Sequence, residues 1–183
     1  MLKTSKIVLA FLIIERTHMI LDWLLREKRI PGDTVDLVLE KDIDPEYSSD
    51  HARNLIYGIY LHKSNKLLGT CDLRVGMNEE LYFSGNIGYR IYESNRGHHY
   101  AYYACEMLFD IAKDDYAMDK LIITCSPDNI PSRKTLEKLG GTLLEVAEVP
   151  SNHWLYKRGE TIKNIYELNF QLERNISSKC NTK

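Results

Sequence analysis

Gly88-Tyr89-Arg90-Ile91-Tyr92-Glu93-Ser94-Asn95-Arg96-Gly97-His98-His99-Tyr100-Ala101 runs from a strand pattern through a short turn directly into a helix pattern. On the upstream side Ile87, Tyr89 and Ile91 share one face at the period of two, which predicts a strand over residues 86–92. On the downstream side Ala101, Ala104, Cys105, Leu108, Ile111 and Ala112 recur at spacings of three and four, the apolar stripe of a helix over residues 97–113 that packs on a sheet. A helix N-terminus presents amides with no partner inside the helix, and the aligned peptide dipoles add partial positive charge there. With Gly97 allowing close backbone approach, the turn is suited to a phosphate or diphosphate.

A second signal lies downstream. The short apolar run 121–125 reads as a central strand covered on both faces, and Ser126-Pro127-Asp128-Asn129 as a turn. Asn129 stands where a helix N-cap belongs, Pro131 falls in the tolerated first turn, Arg133 and Glu137 form an i,i+4 pair, and Gly140-Gly141 end the helix. The Asn129 amide and Ser132 hydroxyl therefore converge on the same sheet edge as the Gly97 turn.

Working outward, residues 54–61 and 67–73 are expected as antiparallel neighbours joined through Ser64-Asn65, and residues 142–149 and 164–172 as further strands, the second with Tyr166, Leu168, Phe170 and Leu172 on one face. Residues 42–50, with Pro45 and two serines, read as a surface loop or short helix. Near the N-terminus residues 7–14 read as a buried strand and residues 19–29 as an amphipathic helix stopped by Pro31-Gly32; the polar tail from 174 is expected to fray. No repeat or low-complexity tract interrupts this mixed α/β or α+β layout.

Composition narrows the function classes. The 183 residues are 44% hydrophobic and 27% charged, which suits one ordinary domain with a packed core. A net charge of -2 gives no basic surface for nucleic acid. The lysines before residue 7 and the apolar run after it imitate a signal peptide, but the run has eight residues where a span needs about 20, and Glu15, Arg16 and His18 follow with no small-residue cleavage site. A cytoplasmic protein without membrane partners is expected, and Cys71, Cys105, Cys125 and Cys180, with no CxxC pair, read as reduced thiols.

An arginine-glycine turn opening a helix, a strand, and then an Asn129-x-x-Ser132-x-Lys134 helix ending in glycine resembles the GNAT superfamily of N-acetyltransferases. The resemblance is close over residues 86–141, and Leu73-Arg74 with Asn78-Glu79 ahead of Asn86-Ile87-Gly88-Tyr89 is similar to a bacterial subgroup of predicted acetyltransferases. It implies an α/β (α+β) GNAT fold: a central, mixed but mostly antiparallel twisted sheet with splayed fourth and fifth strands, flanked by helices. It also implies a single domain over 1–183 with its cofactor-binding core at about 86–141. By the same resemblance acetyl-CoA is the co-substrate, its pantetheine arm flanked by Ile91 and Glu93 and held by Asn129 with Ser132. Its pyrophosphate would lie on the backbone of Arg96, Gly97, His98, His99, Tyr100 and Ala101.

Two departures stand out. His99 occupies a position where the family has glycine, and Leu136 one where many members have a tyrosine that protonates the departing thiolate; Ser132, Cys125 or a water are the substitutes. The implied reaction is direct attack of an unprotonated amine on the thioester in a ternary complex, with Glu93, through water, as the candidate base; a solvated turn carboxylate is the other reading of Glu93. Adjacent His98 and His99 point to different sides of a helix and lack acidic or thiol partners at ligand spacing, so no metal is expected. The acceptor is a small-molecule or peptide amine, with specificity expected from the N-terminal helix, the 42–50 loop and the hairpin around 152–163, and a homodimer is possible. The departures leave an alternative: a catalytically reduced GNAT fold acting as an acyl-CoA sensor or interaction module.

Overall fold

Two antiparallel sheets, one of five strands and one of three, meet along a single line and share one hydrophobic cluster. The computed structural model describes residues 29–170. The strand expected at 7–14, residues 19–28 of the first helix and the tail from 174 lie outside the described residues. In chain order the elements are β1 (Arg29–Ile30), β2 (Val35–Ile43), β3 (Arg53–Leu61), β4 (Leu67–Val75), α1 (Glu79–Ser84), β5 (Ile87–Ile91), α2 (Tyr100–Asp114), β6 (Lys120–Cys125), α3 (Ile130–Lys138), β7 (Thr142–Glu148), α4 (Trp154–Lys157) and β8 (Ile162–Asn169). The first sheet is ordered β1-β2-β3-β4-β5 and the second β6-β8-β7.

Side-chain periodicity explains the packing. Leu55, Tyr57 and Ile59 on β3 and Cys71 and Leu73 on β4 lie on one face of the large sheet, and α2 lays Ala104, Cys105, Leu108, Ile111 and Ala112 into the same cluster. Leu121 and Ile123 of β6 and Tyr166 and Leu168 of β8 continue it, with Phe170 just beyond β8, so one core serves both sheets.

The line where the sheets meet is fixed by one side chain. Asn86, fully buried, donates through its Nδ2 to the carbonyls of Arg74 (3.0 Å) and Gly76 (2.7 Å) and accepts from the Ile122 N–H (2.8 Å). Its own backbone N–H donates to the Ile122 carbonyl at 2.6 Å. Beyond this point β5 and β6 share no ladder and belong to different sheets, so they are the splayed pair that the sequence resemblance numbers fourth and fifth.

Several elements differ from the sequence expectations. The α2 helix begins at Tyr100, three residues after Gly97, because residues Glu93–Asn95 form a 3-10 turn and His99 is its N-cap. Arg29, expected as the end of a helix, instead pairs with Val38 in β1–β2. The sequence reading passed over β2, whose apolar alternation is masked by a buried Asp36 and the charged run Glu40-Lys41-Asp42. The six-residue α1, capped by Asn78 accepting from the Leu81 N–H (2.8 Å), and the four-residue α4 are too short for a helical period to emerge.

Two segments expected to shape an acceptor site are joined directly. Trp154 Nε1 donates to Asp50 Oδ1 at 2.9 Å, and Arg74 bridges Asp50 (3.1 Å) to Asp72 (2.9 Å). The buried Asp50 carboxylate is thus consumed inside the protein, whereas the rest of the 42–50 acidic loop stays in solvent apart from half-buried Ile43 and Ser48. Asp36 forms another internal site. Burial alone would raise its carboxyl, but hydrogen bonds from His62 (2.7 Å), Arg29 (3.1 Å) and the Gly32 N–H (3.3 Å) outweigh burial and hold it below the usual carboxylate value.

Two outcomes follow. Asn86→Ala strands three buried polar groups and lowers the unfolding free energy by about 3 kcal/mol, measured by urea denaturation. Because the folded Asp36 titrates below its unfolded value, its contribution is complete above the model-peptide value of 3.8 and disappears as pH falls through the folded value. Urea titrations between pH 2 and pH 6 should therefore show Asp36→Asn with a shallower acid loss of stability than the wild type.

Candidate active site

Beside β5, where it parts from β6, lies a cavity of about 820 Å³, the size of a ligand site. Its walls come from β5 (Tyr89, Arg90, Ile91), the turn and first residues of α2 (Asn95 to Tyr102), and one face of α3 with its N-cap (Asn129, Pro131, Ser132, Lys134, Thr135, Lys138). Two helix N-termini and the C-terminal end of one strand therefore face the same space.

Backbone conformation shapes the turn. Gly97 has φ 86° and His99 φ 59°, so two left-handed residues flank His98 and curve the chain around its own N–H groups, an arrangement that makes an anion-binding concavity. No side chain caps α2, leaving its first amides to the cavity. The turn is pinned from behind: buried Asn95 donates to the Leu68 carbonyl at 3.3 Å, and Arg96 Nε donates to the Ile91 carbonyl at 3.2 Å. A histidine at 99 meets a conformational demand that glycine satisfies without strain, at about 1 kcal/mol, and its side chain is exposed rather than packed into the protein.

The electrostatics are one-sided. Arg90, Arg96, Lys134 and Lys138 line the cavity together with His98 and His99, and no Asp or Glu does so among the described residues. Lys138 Nζ also sits 4.3 Å from the centre of the Tyr102 ring, linking α3 to α2 across the opening. At the N-terminus of α3, Asn129 Oδ1 accepts from the Ser132 N–H at 3.2 Å. Behind it, Tyr89 OH and Ser132 Oγ are 2.8 Å apart. Burial pushes the Tyr89 phenol up to about 12, although hydrogen bonds to Ser132 and Thr135 oppose the shift.

Of the residues singled out in the sequence, Ile91, Arg96, Gly97, His98, His99, Tyr100, Ala101, Asn129 and Ser132 all stand on this wall. Glu93 does not; the 3-10 turn leaves its side chain exposed to solvent, two residues beyond Ile91. Leu136 is fully buried in the core, and Cys125 is a buried thiol raised by its burial. Tyr89, Asn95, Tyr102, Lys134, Thr135 and Lys138 were not foreseen. For some the signal existed: Pro131, Lys134, Thr135 and Lys138 recur at helical spacing, and Tyr89 shares the face of Ile91. Among the described residues no three His, Cys, Asp or Glu side chains gather as metal ligands, and no helix is long and apolar enough to cross a membrane.

A strand splayed from its neighbour, a helix opening on an uncapped turn and a second, capped helix beside it frame the cleft. The sequence profile of the acetyltransferase (GNAT) domain matches residues 16–142, and the chain belongs to this family. No curated protein sequence matches it. Among solved structures, a GNAT-family acetyltransferase from Bacillus anthracis is 20% identical, with 63% of this chain and 66% of that one covered and a TM-score of 0.51. A Vibrio cholerae protein designated a ribosomal-protein-serine acetyltransferase is 15% identical over 77% of this chain and 97% of that one, with a TM-score of 0.56. RimL, the ribosomal L7/L12 α-N-protein acetyltransferase solved with coenzyme A in a disulfide to its own cysteine, is also 15% identical over 77% and 97%, with a TM-score of 0.55. At these identities the likeness is one of fold. Against four of the solved structures the match spans 61% to 66% of the neighbour's length.

The turn makes its own prediction. A Cβ at Gly97 would meet nothing within 4 Å, so the cost of Gly97→Ala is conformational alone. It should lower stability by about 1–2 kcal/mol, whereas His99→Gly should be neutral or stabilising; urea unfolding of the two variants checks both.

Proposed function

We propose that this chain transfers an acetyl group from acetyl-CoA to a primary amine by direct attack within a ternary complex. The observation that carries the reading is the cavity beside β5 at the splay, whose formally charged wall residues are all cationic among the described residues and which opens on the uncapped turn of residues 96–101. That donor set suits a diphosphate: backbone N–H groups at the turn, with Arg96, Lys134 and Lys138 close by. His99 is exposed and lines the cavity at the turn, so the position that departs from the family pattern borders the phosphate-suited amides.

In this reading Arg96, Gly97, His98, His99, Tyr100 and Ala101 hold the pyrophosphate through their backbone, Ile91 lines the pantetheine path, and Asn129 and Ser132 border the acyl end. Catalysis is mostly positioning, with free strand amides polarising the thioester carbonyl as charge develops on its oxygen. The attacking alkyl ammonium, with a pKa of about 10, must first lose a proton. Glu93, lying off the cavity wall, takes part only through water. The acceptor is a small-molecule or peptide amine, and the exposed acidic residues of the 42–50 loop favour a cationic one. The protein acts in the cytoplasm, as one domain, alone or as a homodimer.

Acetyl-CoA at 100 times its dissociation constant should stabilise the protein by about 2.7 kcal/mol, read as a thermal shift. Release of free CoA thiol is then followed against polyamines, lysine and peptide N-termini. Absence of a shift excludes the cofactor assignment. A shift with no CoA release under any acceptor favours the acyl-CoA sensor, for which burial of Leu136 in place of a reactive side chain is the supporting observation.

A further inference from the structure

The cavity contains a hydroxyl pair to which the reading above gives no part in proton transfer. Tyr89 projects from β5 across the splay, and its OH lies 2.8 Å from Ser132 Oγ in the first turn of α3, with both residues on the cavity wall. Tyr89 stands two strand residues, about 7 Å, farther from the phosphate-suited turn than Ile91, toward the point where Asn86 brings β5 and β6 together. In the reading above, the pantetheine arm follows β5 from the turn past Ile91 toward Tyr89. Leu136, one helical turn beyond Ser132, is fully buried and reaches nothing in the cavity.

We propose that Tyr89 is the proton donor to the departing thiolate, with Ser132 the positioning residue that donates to the phenolic oxygen. The assignment rests on the acetyl transfer proposed above. In the step, the amine nitrogen bonds to the thioester carbon, and the resulting tetrahedral centre collapses with the C–S electron pair going to sulfur. The Tyr89 O–H proton passes to that sulfur, and the phenolate regains a proton from water through the Ser132 hydroxyl. The proton shed by the attacking nitrogen balances it, so amine and thioester give amide and thiol. Of the two hydroxyls the phenol is the stronger acid, and only it spans the gap from strand to helix. Its upward shift through burial keeps it protonated, and therefore a donor, across the working pH range.

The test uses the full chain with acetyl-CoA and two acceptors, spermidine and a peptide with a free N-terminal amine. Y89F should bind acetyl-CoA with its Kd changed by less than about twofold, retain the wild-type circular dichroism, and release CoA about 100-fold more slowly in kcat. S132A should be slowed as well. Because both act on one proton, the Y89F/S132A double variant should be no slower than Y89F. Wild-type kcat in Y89F, or a double-variant loss equal to the product of the single losses, overturns the assignment. The wild-type arm separates this outcome from failure of the transfer reading itself: a wild-type protein that releases no CoA removes both, whereas equal turnover by wild type and Y89F removes only the role of Tyr89.

Discussion

Everything at the site depends on two strands held together at one end only. Asn86 ties β5 to Ile122 of β6 through its side chain and its backbone, and the same side chain closes the carbonyls of Arg74 and Gly76 at the end of β4. An amide side chain can do this because it is donor and acceptor at once, and burial makes each of those bonds costly to lose. Once past Asn86 the strands carry no shared ladder, and β5 borders a cavity instead of pairing with β6. Ordinary sheets avoid such a gap because unpaired N–H and C=O groups are costly when dry.

The rest of the fold holds that gap open. The stripe from Ala104 to Ala112 fastens α2 to the large sheet, which sets the direction in which its N-terminus points. The Asn129 cap does the same for α3, and the Lys138–Tyr102 contact joins the two helices over the opening. One hydrophobic cluster running through both sheets then prevents the halves from separating further. Among the described residues the formally charged side chains on the cavity wall, Arg90, Arg96, Lys134 and Lys138, are all cationic, so local charge opposes the overall net charge of -2 and favours an anionic ligand there.

Two polar groups elsewhere in the interior are tied up structurally. Arg74 ion-pairs with both Asp50 and Asp72 while Asp50 accepts from Trp154, from the region before β8, and Asp36 gathers Arg29 and His62 at the edge of the large sheet. The buried thiols Cys71, Cys105 and Cys125 are all raised by burial, which suits packing and not nucleophilic attack. The Tyr89–Ser132 pair differs from these because its partners border open space.

By itself the sequence determined the strand-turn-helix at residues 86–113, the capped helix after Asn129, the β3–β4 hairpin and the family these belong to, because each is written in contiguous periodicity or in capping and turn chemistry. Nine of the ten residues expected to contact the cofactor lie on one cavity for the same reason. Only the tertiary structure decided what depends on contacts remote in the chain: the role of Asn86, the exclusion of Glu93 by a 3-10 turn, and the meeting of Tyr89 with Ser132, which lie 43 residues apart. It also recovered β2, whose pattern is hidden because Asp36 is buried by partners supplied from elsewhere, including His62 on the turn after β3. Periodicity records which face of an element is apolar; it carries no information about which polar group will be waiting on the other side.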